Sequence, residues 1–213
     1  MRIIPPLVLL LGALSPMVNS SPLQTFSTNA VLSIARSSYK RFLNKIPPGY
    51  ESRYGFVHRD EFTRTTVGKP LRVYTAYPDS RKEETGIPVK WPYLLNEWRV
   101  PLLVDGEFRS LLTIVETDGV LKAVDLGAAK LAREIGTFNR NNPDGSKALF
   151  RLDRLKCDFI LIKKSNAPIQ EDAYYPLHSA RRLLNTTDTS FFSRVELFGE
   201  IHRRSRETLQ TDR

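Results

Sequence analysis

Trp98-Arg-Val-Pro-Leu-Leu-Val-Asp-Gly-Glu-Phe-Arg-Ser-Leu-Leu-Thr-Ile-Val-Glu-Thr-Asp-Gly-Val-Leu-Lys-Ala-Val-Asp-Leu126 is the stretch that decides the fold. It holds three runs rich in β-branched and aliphatic residues, Trp98 to Val104, Glu107 to Thr117 and Val120 to Leu126, parted by Asp105-Gly106 and Asp118-Gly119. Asp-Gly suits the two-residue turn in which both central residues need positive φ, and the twist of that turn matches the strands it joins. The stretch therefore predicts a three-stranded antiparallel meander. With both turns two residues long, Val100 falls opposite Leu111 and Thr113 opposite Val124. Trp98, Val100, Leu102, Leu111, Val115 and Leu126 then share one face, and Leu103, Phe108, Leu112, Ile114 and Leu121 the other.

Upstream, Asn29 to Ile46 has helical periodicity: Val31, Ile34, Ala35, Tyr39, Phe42, Leu43 and Ile46 recur at spacings of three and four. Pro47-Pro48-Gly49 ends it, because proline cannot supply the donor that another turn needs. A second, shorter helix is expected from Asp60 to Gly68, and a strand from Leu71 to Tyr77. Pro78 to Pro92 reads as a polar loop. Downstream, the pattern predicts a short helix at Lys130 to Ile135, a turn cluster at Asn139 to Gly145, a strand or strand pair over Ala148 to Lys164 kinked near Asp153-Arg154, and a helix over Pro176 to Leu184. Phe191 to His202 fits a strand or a helix equally well.

The sum is an α+β fold: an N-terminal amphipathic helix packed on an antiparallel β-meander of four or more strands, with additional short helices. That layout is similar to cystatin-like folds by analogy of layout alone. The short motifs by which cystatin inhibitors grip proteases are missing, so the likeness implies no function.

The chain opens with Arg2, an apolar run from Ile3 to Leu14 broken by Pro5-Pro6, and a small-residue end at Val18-Asn19-Ser20-Ser21. That order is expected of a secretory signal peptide over residues 1–20, cleaved after Ser20. The run is shorter than the roughly 20 residues a membrane-spanning helix needs, so no transmembrane anchor is expected. The predicted organisation is a single α+β domain over 29–202, followed by a flexible tail at 203–213. Cys157 is the single cysteine among 213 residues. It allows no internal disulfide, which suits a bacterial secreted or periplasmic protein better than a disulfide-rich domain exported by eukaryotes.

The formal net charge of +9 is concentrated, with eight Lys/Arg against three acids in 36–69 and six against two in 147–164. For an exported chain the natural anionic partners are an envelope component or another exported protein, rather than nucleic acid. Arg36, Lys40 and Arg41 head the candidate basic surface. The candidate aromatic binding residues are Trp91, Tyr93, Tyr74 and Tyr77, which cluster with Trp98 around the polar loop; aromatic rings with polar tips suit partner surfaces.

Catalytic signals are weak. Cys157 lacks a local cysteine-enzyme signature, and its neighbours are those of a buried strand. No Cys-x-x-Cys, His-x-x-x-His or Gly-x-Ser-x-Gly pattern occurs, so no metal, cofactor or catalytic residue is assigned. The leading expectation is a non-enzymatic exported binding or interaction module with a basic surface. The alternatives are an exported hydrolase using carboxylates or Cys157, and a partner-specific inhibitor or assembly factor.

Overall fold

A computed structural model describes residues 26–76, 92–163 and 172–211, the side chains of Arg154, His202 and 204–211 excepted. The expected signal peptide, residues 1–20, therefore lies outside the described residues, as do Tyr77, Trp91 and nearly all of the polar loop. Both Asp-Gly pairs turn as their chemistry dictates: φ is 51° and 82° at Asp105-Gly106, and 52° and 74° at Asp118-Gly119. They join three strands, β3 (Tyr93–Val104), β4 (Glu107–Thr117) and β5 (Val120–Gly127).

The register departs from the expected one part-way along each hairpin. Leu103 pairs with Phe108, but Leu102 pairs with Ser110, so Arg109 is an extra residue on β4. Likewise Ile114 pairs with Ala123 while Thr113 pairs with Asp125, leaving Val124 as the extra residue on β5. Val100 thus lies opposite Leu112 instead of Leu111, and Thr113 opposite Asp125 instead of Val124. Each bulge slips the pairing by one residue, and a one-residue slip exchanges faces. As a result Leu112, Ile114 and Leu121 join Trp98, Val100, Leu102 and Leu126 in one core cluster, while Leu111 belongs to the opposite face with Phe108.

Helix α1 (Thr28–Asn44) covers the Trp98 face. Ser27 caps it, its hydroxyl accepting from the Ala30 N–H at 3.2 Å. Val31, Ala35, Leu43 and the following Ile46 are buried against the sheet. The helix expected from Asp60 to Gly68 is a single turn, α2 (Glu61–Arg64), and Asp60 makes no side-chain cap. Thr65, Thr66 and Val67 are β-branched, and they leave the helix as strand β1 (Thr65–Val67) on the free edge of Leu102 to Val104.

Strand β2 (Leu71–Thr75) adds to β3 on the other end, making the four-stranded meander β5-β4-β3-β2. Beyond it lie β6 (Ser146–Leu152), β7 (Cys157–Lys163), β8 (Ala173–Pro176) and β9 (Phe192–Ser193), in the order β2-β6-β7-β8-β9. The described strands number nine, and the β2–β6 pair is parallel while every other is antiparallel. The parallel join requires a crossover, and α3 (Ala129–Asn141) supplies it. This helix is longer than expected and takes in Asn139 to Asn141 from the anticipated turn cluster. Ala132, Ile135 and Phe138 pack on Leu111, Leu149 and Ile160. The kink near Asp153 is a 3-10 turn, Asp153–Leu155, between β6 and β7. Pro176 closes β8, and α4 runs His178–Leu184.

The ambiguous Phe191 to His202 stretch is a two-residue strand followed by helix α5 (Arg194–Thr211), which carries helical backbone past Arg203. Its start is a capping box: the Ser193 hydroxyl accepts from the Glu196 N–H at 3.3 Å, and a Glu196 carboxylate oxygen accepts from the Ser193 N–H at 2.7 Å. Cross-strand partners share a face, with Trp98 opposite Arg72 and Tyr74 opposite Phe150. The α1 cluster and the cluster of Phe150, Phe159, Tyr174, Leu184 and Leu197 therefore lie on one face, and α3 lies on the other.

Candidate functional site

The C-terminal half of α1 and the chain after it form a basic, aromatic end of the molecule. Helix α1 contains no acidic residue. Arg36, Lys40 and Arg41 are all exposed, as is Lys45 at its C-cap. Attraction to the negative end of the helix accounts for Arg41 and Lys45 in the last turn, but not for Arg36 and Lys40 farther back. Arg41 and Lys45 lie over the Phe42 ring at 5.4 and 5.9 Å, Arg53 over Tyr50 at 4.5 Å, and Arg59 over Phe62 at 5.2 Å. Such stacking fixes the stems of long side chains while their charges stay outward.

The acids of this end are committed. Glu51 pairs with Arg59 at 3.0 Å, Asp60 and Asp105 with Arg64, and Glu61 with Arg109 at 2.9 Å. Backbone N–H donors and the Arg59 guanidinium hold the Glu51 carboxyl below its ordinary value. Arg59 also donates to the Ile46 carbonyl at 2.9 Å, tying the end of α1 to the 3-10 turn Glu51–Tyr54. Among the described residues Arg36, Lys40, Arg41, Lys45 and Arg53 have no carboxylate partner. Tyr50 and Val57 stand among them at 45% and 60% exposure. A surface of unpaired cations around two exposed apolar side chains can hold a polyanionic face.

The register separates the candidate aromatics. Tyr74 is paired with Leu94 and Tyr93 with Thr75, neighbouring positions that point to opposite faces. Tyr74 is half-buried under Lys163, whose Nζ sits 4.5 Å from the ring centre. Trp98 is core at 4% exposure, with the Arg72 guanidinium 3.9 Å above its ring. Tyr77 and Trp91 fall outside the described residues. Sequence reasoning missed the seam that Arg72 and Tyr74 form between the two helix-covered clusters. Its only signal was a guanidinium two residues from Tyr74 on a strand otherwise alternating apolar and polar.

Asp172 extends this face next to Lys163 and Arg194, and is 6% exposed. Burial raises its carboxyl, against the pull of the two cations. A carboxyl whose folded value exceeds its unfolded one contributes stability at low pH and loses it as pH rises through the ordinary Asp value toward the raised one. Asp172→Asn is therefore expected to melt above the parent by a gap that is absent at low pH and opens as pH rises above the ordinary Asp value of about 4. Thermal melts of both proteins on either side of that value provide the check, and a pH-independent gap would refute the assignment.

Cys157 is buried, and burial, with a smaller push from Asp158, raises its thiol to about 12. Neither His58 nor His178 hydrogen-bonds to it; both are exposed. At neutral pH such a thiol is not a nucleophile. Among the described residues no group of three or more His, Cys, Asp or Glu is arranged to hold a metal ion, and no helix is long and apolar enough to cross a membrane.

Compared with known proteins, the chain matches no protein-family model, no curated protein and no solved structure.

Proposed function

We propose that the protein is an exported, non-catalytic binding module whose basic end engages an anionic surface of the envelope. The observation that carries this reading is the asymmetry of pairing at that end. Every acid there is bound to Arg59, Arg64 or Arg109, whereas Arg36, Lys40, Arg41, Lys45 and Arg53 have no carboxylate partner among the described residues. Each Lys or Arg held near an anionic lipid surface contributes about 1 kcal/mol, so four or five together suffice for measurable association. Tyr50 and Val57 add apolar tips at the level where headgroups meet acyl chains. The segment 1–20 would deliver the protein to the periplasm or the medium.

The test uses the chain from Ser21 onward, which retains every described element. Cosedimentation with vesicles of phosphatidylglycerol and phosphatidylcholine is expected at low salt and falls steeply as the screening length shrinks from roughly 10 Å at 0.1 M salt to roughly 3 Å at 1 M. Replacing Arg36, Lys40, Arg41 and Lys45 together with Gln should weaken binding by more than about tenfold. The melting temperature should change little, because the four side chains are exposed. Equal binding to pure phosphatidylcholine, or binding indifferent to salt, would overturn the reading.

A further inference from the structure

We propose a second binding site, separate from the basic end, in the cleft between α3, β8 and the start of α4, taking a small single-ring aromatic carboxylate. The cleft is open to solvent on one side and holds about 230 Å³. That is below the roughly 300–1,000 Å³ of drug-sized sites, so a nucleotide is too large and a one-ring ligand fits.

Its apolar wall is a set of aromatic contacts. Phe138 of α3 and Tyr175 of β8 are 4.5 Å apart between ring centres, and Phe191 closes on them at 6.2 and 5.5 Å. Of the three, Phe138 and Tyr175 line the cleft beside Leu177, and a ligand ring can pack on that wall edge to face or offset. Phe191 is 45% exposed, so the aromatic set reaches the surface.

The polar wall carries two guanidinium groups, Arg133 and Arg181, and one carboxylate, Glu134. The carboxylate is engaged already: its Oε2 accepts the His178 N–H at 2.7 Å. Arg181 donates Nη1 to the Pro176 carbonyl at 2.8 Å, which holds its plane in place and leaves its other donors available. Arg133 is exposed and has no carboxylate partner among the described residues. The Asn142 Nδ2 donates to the Phe138 carbonyl at 3.1 Å, leaving its amide oxygen to orient a ring hydroxyl. Two guanidinium groups beside an aromatic wall suit a ring carboxylate, which arginine binds through paired N–H groups. A cation would be repelled, and an uncharged ring would leave the guanidinium groups without an anion.

The test is an amide-resolved NMR titration of the chain from Ser21 with benzoate, with acetate and benzyl alcohol as controls. Benzoate is expected to shift the amides of Phe138, Asn141, Asn142 and Tyr175 saturably, with Kd on the order of 1 mM, the affinity a ligand of this size supports. Acetate lacks the ring and benzyl alcohol the charge, so each should bind at least about tenfold more weakly. Arg133→Gln alters an exposed side chain and should weaken benzoate about fivefold or more, and Thr137→Trp should fill the cleft and abolish the shifts. Non-saturating shifts, equal shifts from benzyl alcohol, saturation elsewhere, or indifference to both substitutions would each overturn the proposal. None of these readouts depends on vesicle binding, so this site stands or falls apart from the basic end.

Discussion

Gly55→Ala is expected to destabilise the protein by about 3–4 kcal/mol and lower its melting temperature by about 10 °C. Gly55 has φ of +93°, where an alanine costs roughly 1–2 kcal/mol in backbone strain alone. The larger part comes from the neighbour. A Cβ at this position would lie 1.9 Å from the Arg109 carbonyl oxygen and 3.0 Å from the Ala129 Cβ. That oxygen belongs to the bulged residue of β4, which cannot retreat without disturbing the pairing of Phe108 and Ser110 on either side. Gly49 supplies the control. Its φ is +84° and nothing lies within 4 Å of its would-be Cβ, so Gly49→Ala should cost only the strain. Thermal or denaturant melts of the two variants decide the matter: equal losses would mean that the approach to Arg109 is not close.

Glu61→Leu should be comparably severe, costing about 3–5 kcal/mol. Glu61 is 5% exposed, and its carboxylate joins two segments. One oxygen accepts the Val57 N–H at 2.7 Å and the other accepts from Arg109 Nη2 at 2.9 Å. Leucine removes the anion and leaves a guanidinium, itself only 23% exposed, without its counter-charge. The double variant Glu61→Leu with Arg109→Met removes both charges and should recover a large part of the loss, with a coupling of about 1.5–3 kcal/mol by equilibrium unfolding. Additive losses would mean that the pair is not one unit. Hydrogen exchange should also rise first in residues 50–64, because these two contacts dock the basic end on the sheet.

Both experiments converge on Arg109, and the sequence hides its importance. Read alone, Glu107 to Thr117 is an ordinary alternating strand, and Arg109 is a solvent-facing cation on it. The bulge removes Arg109 from the ladder and re-aims it, so that its carbonyl meets Gly55 and its guanidinium meets Glu61. Nothing local marks where the extra residue falls. It is chosen by which set of leucines best fills the space beneath α1, which depends on a helix more than fifty residues away.

The candidate surface divides in the same manner. Arg36, Lys40 and Arg41 were legible because helical periodicity alone decides which side of α1 faces water. The commitment of Glu51, Asp60 and Glu61 to Arg59, Arg64 and Arg109 was not, since it depends on the folding back of the 3-10 turn and α2. The aromatic cluster shows the opposite hazard. Tyr74 and Tyr93 are close in sequence, but the pairing of β2 with β3 sends them to different faces. The capping box at Ser193 and Glu196 was present in the sequence as Ser-x-x-Glu, and it would have favoured the helix over the strand for the residues that follow.

By itself, then, the sequence determined whatever depends on a few neighbouring residues. That includes the amphipathic first helix and its proline stop, the two Asp-Gly turns, and the antiparallel meander between them. The tertiary structure decided the rest: the bulges that exchange faces, the parallel join of β2 to β6, the strand at Thr65–Val67, and the pairing that leaves one end of the molecule with unmatched cations. Turn and helix energies are set within one or two turns of chain. Register and charge pairing are set by competition between distant surfaces for the same space and the same counter-ions, and that competition has no local signature.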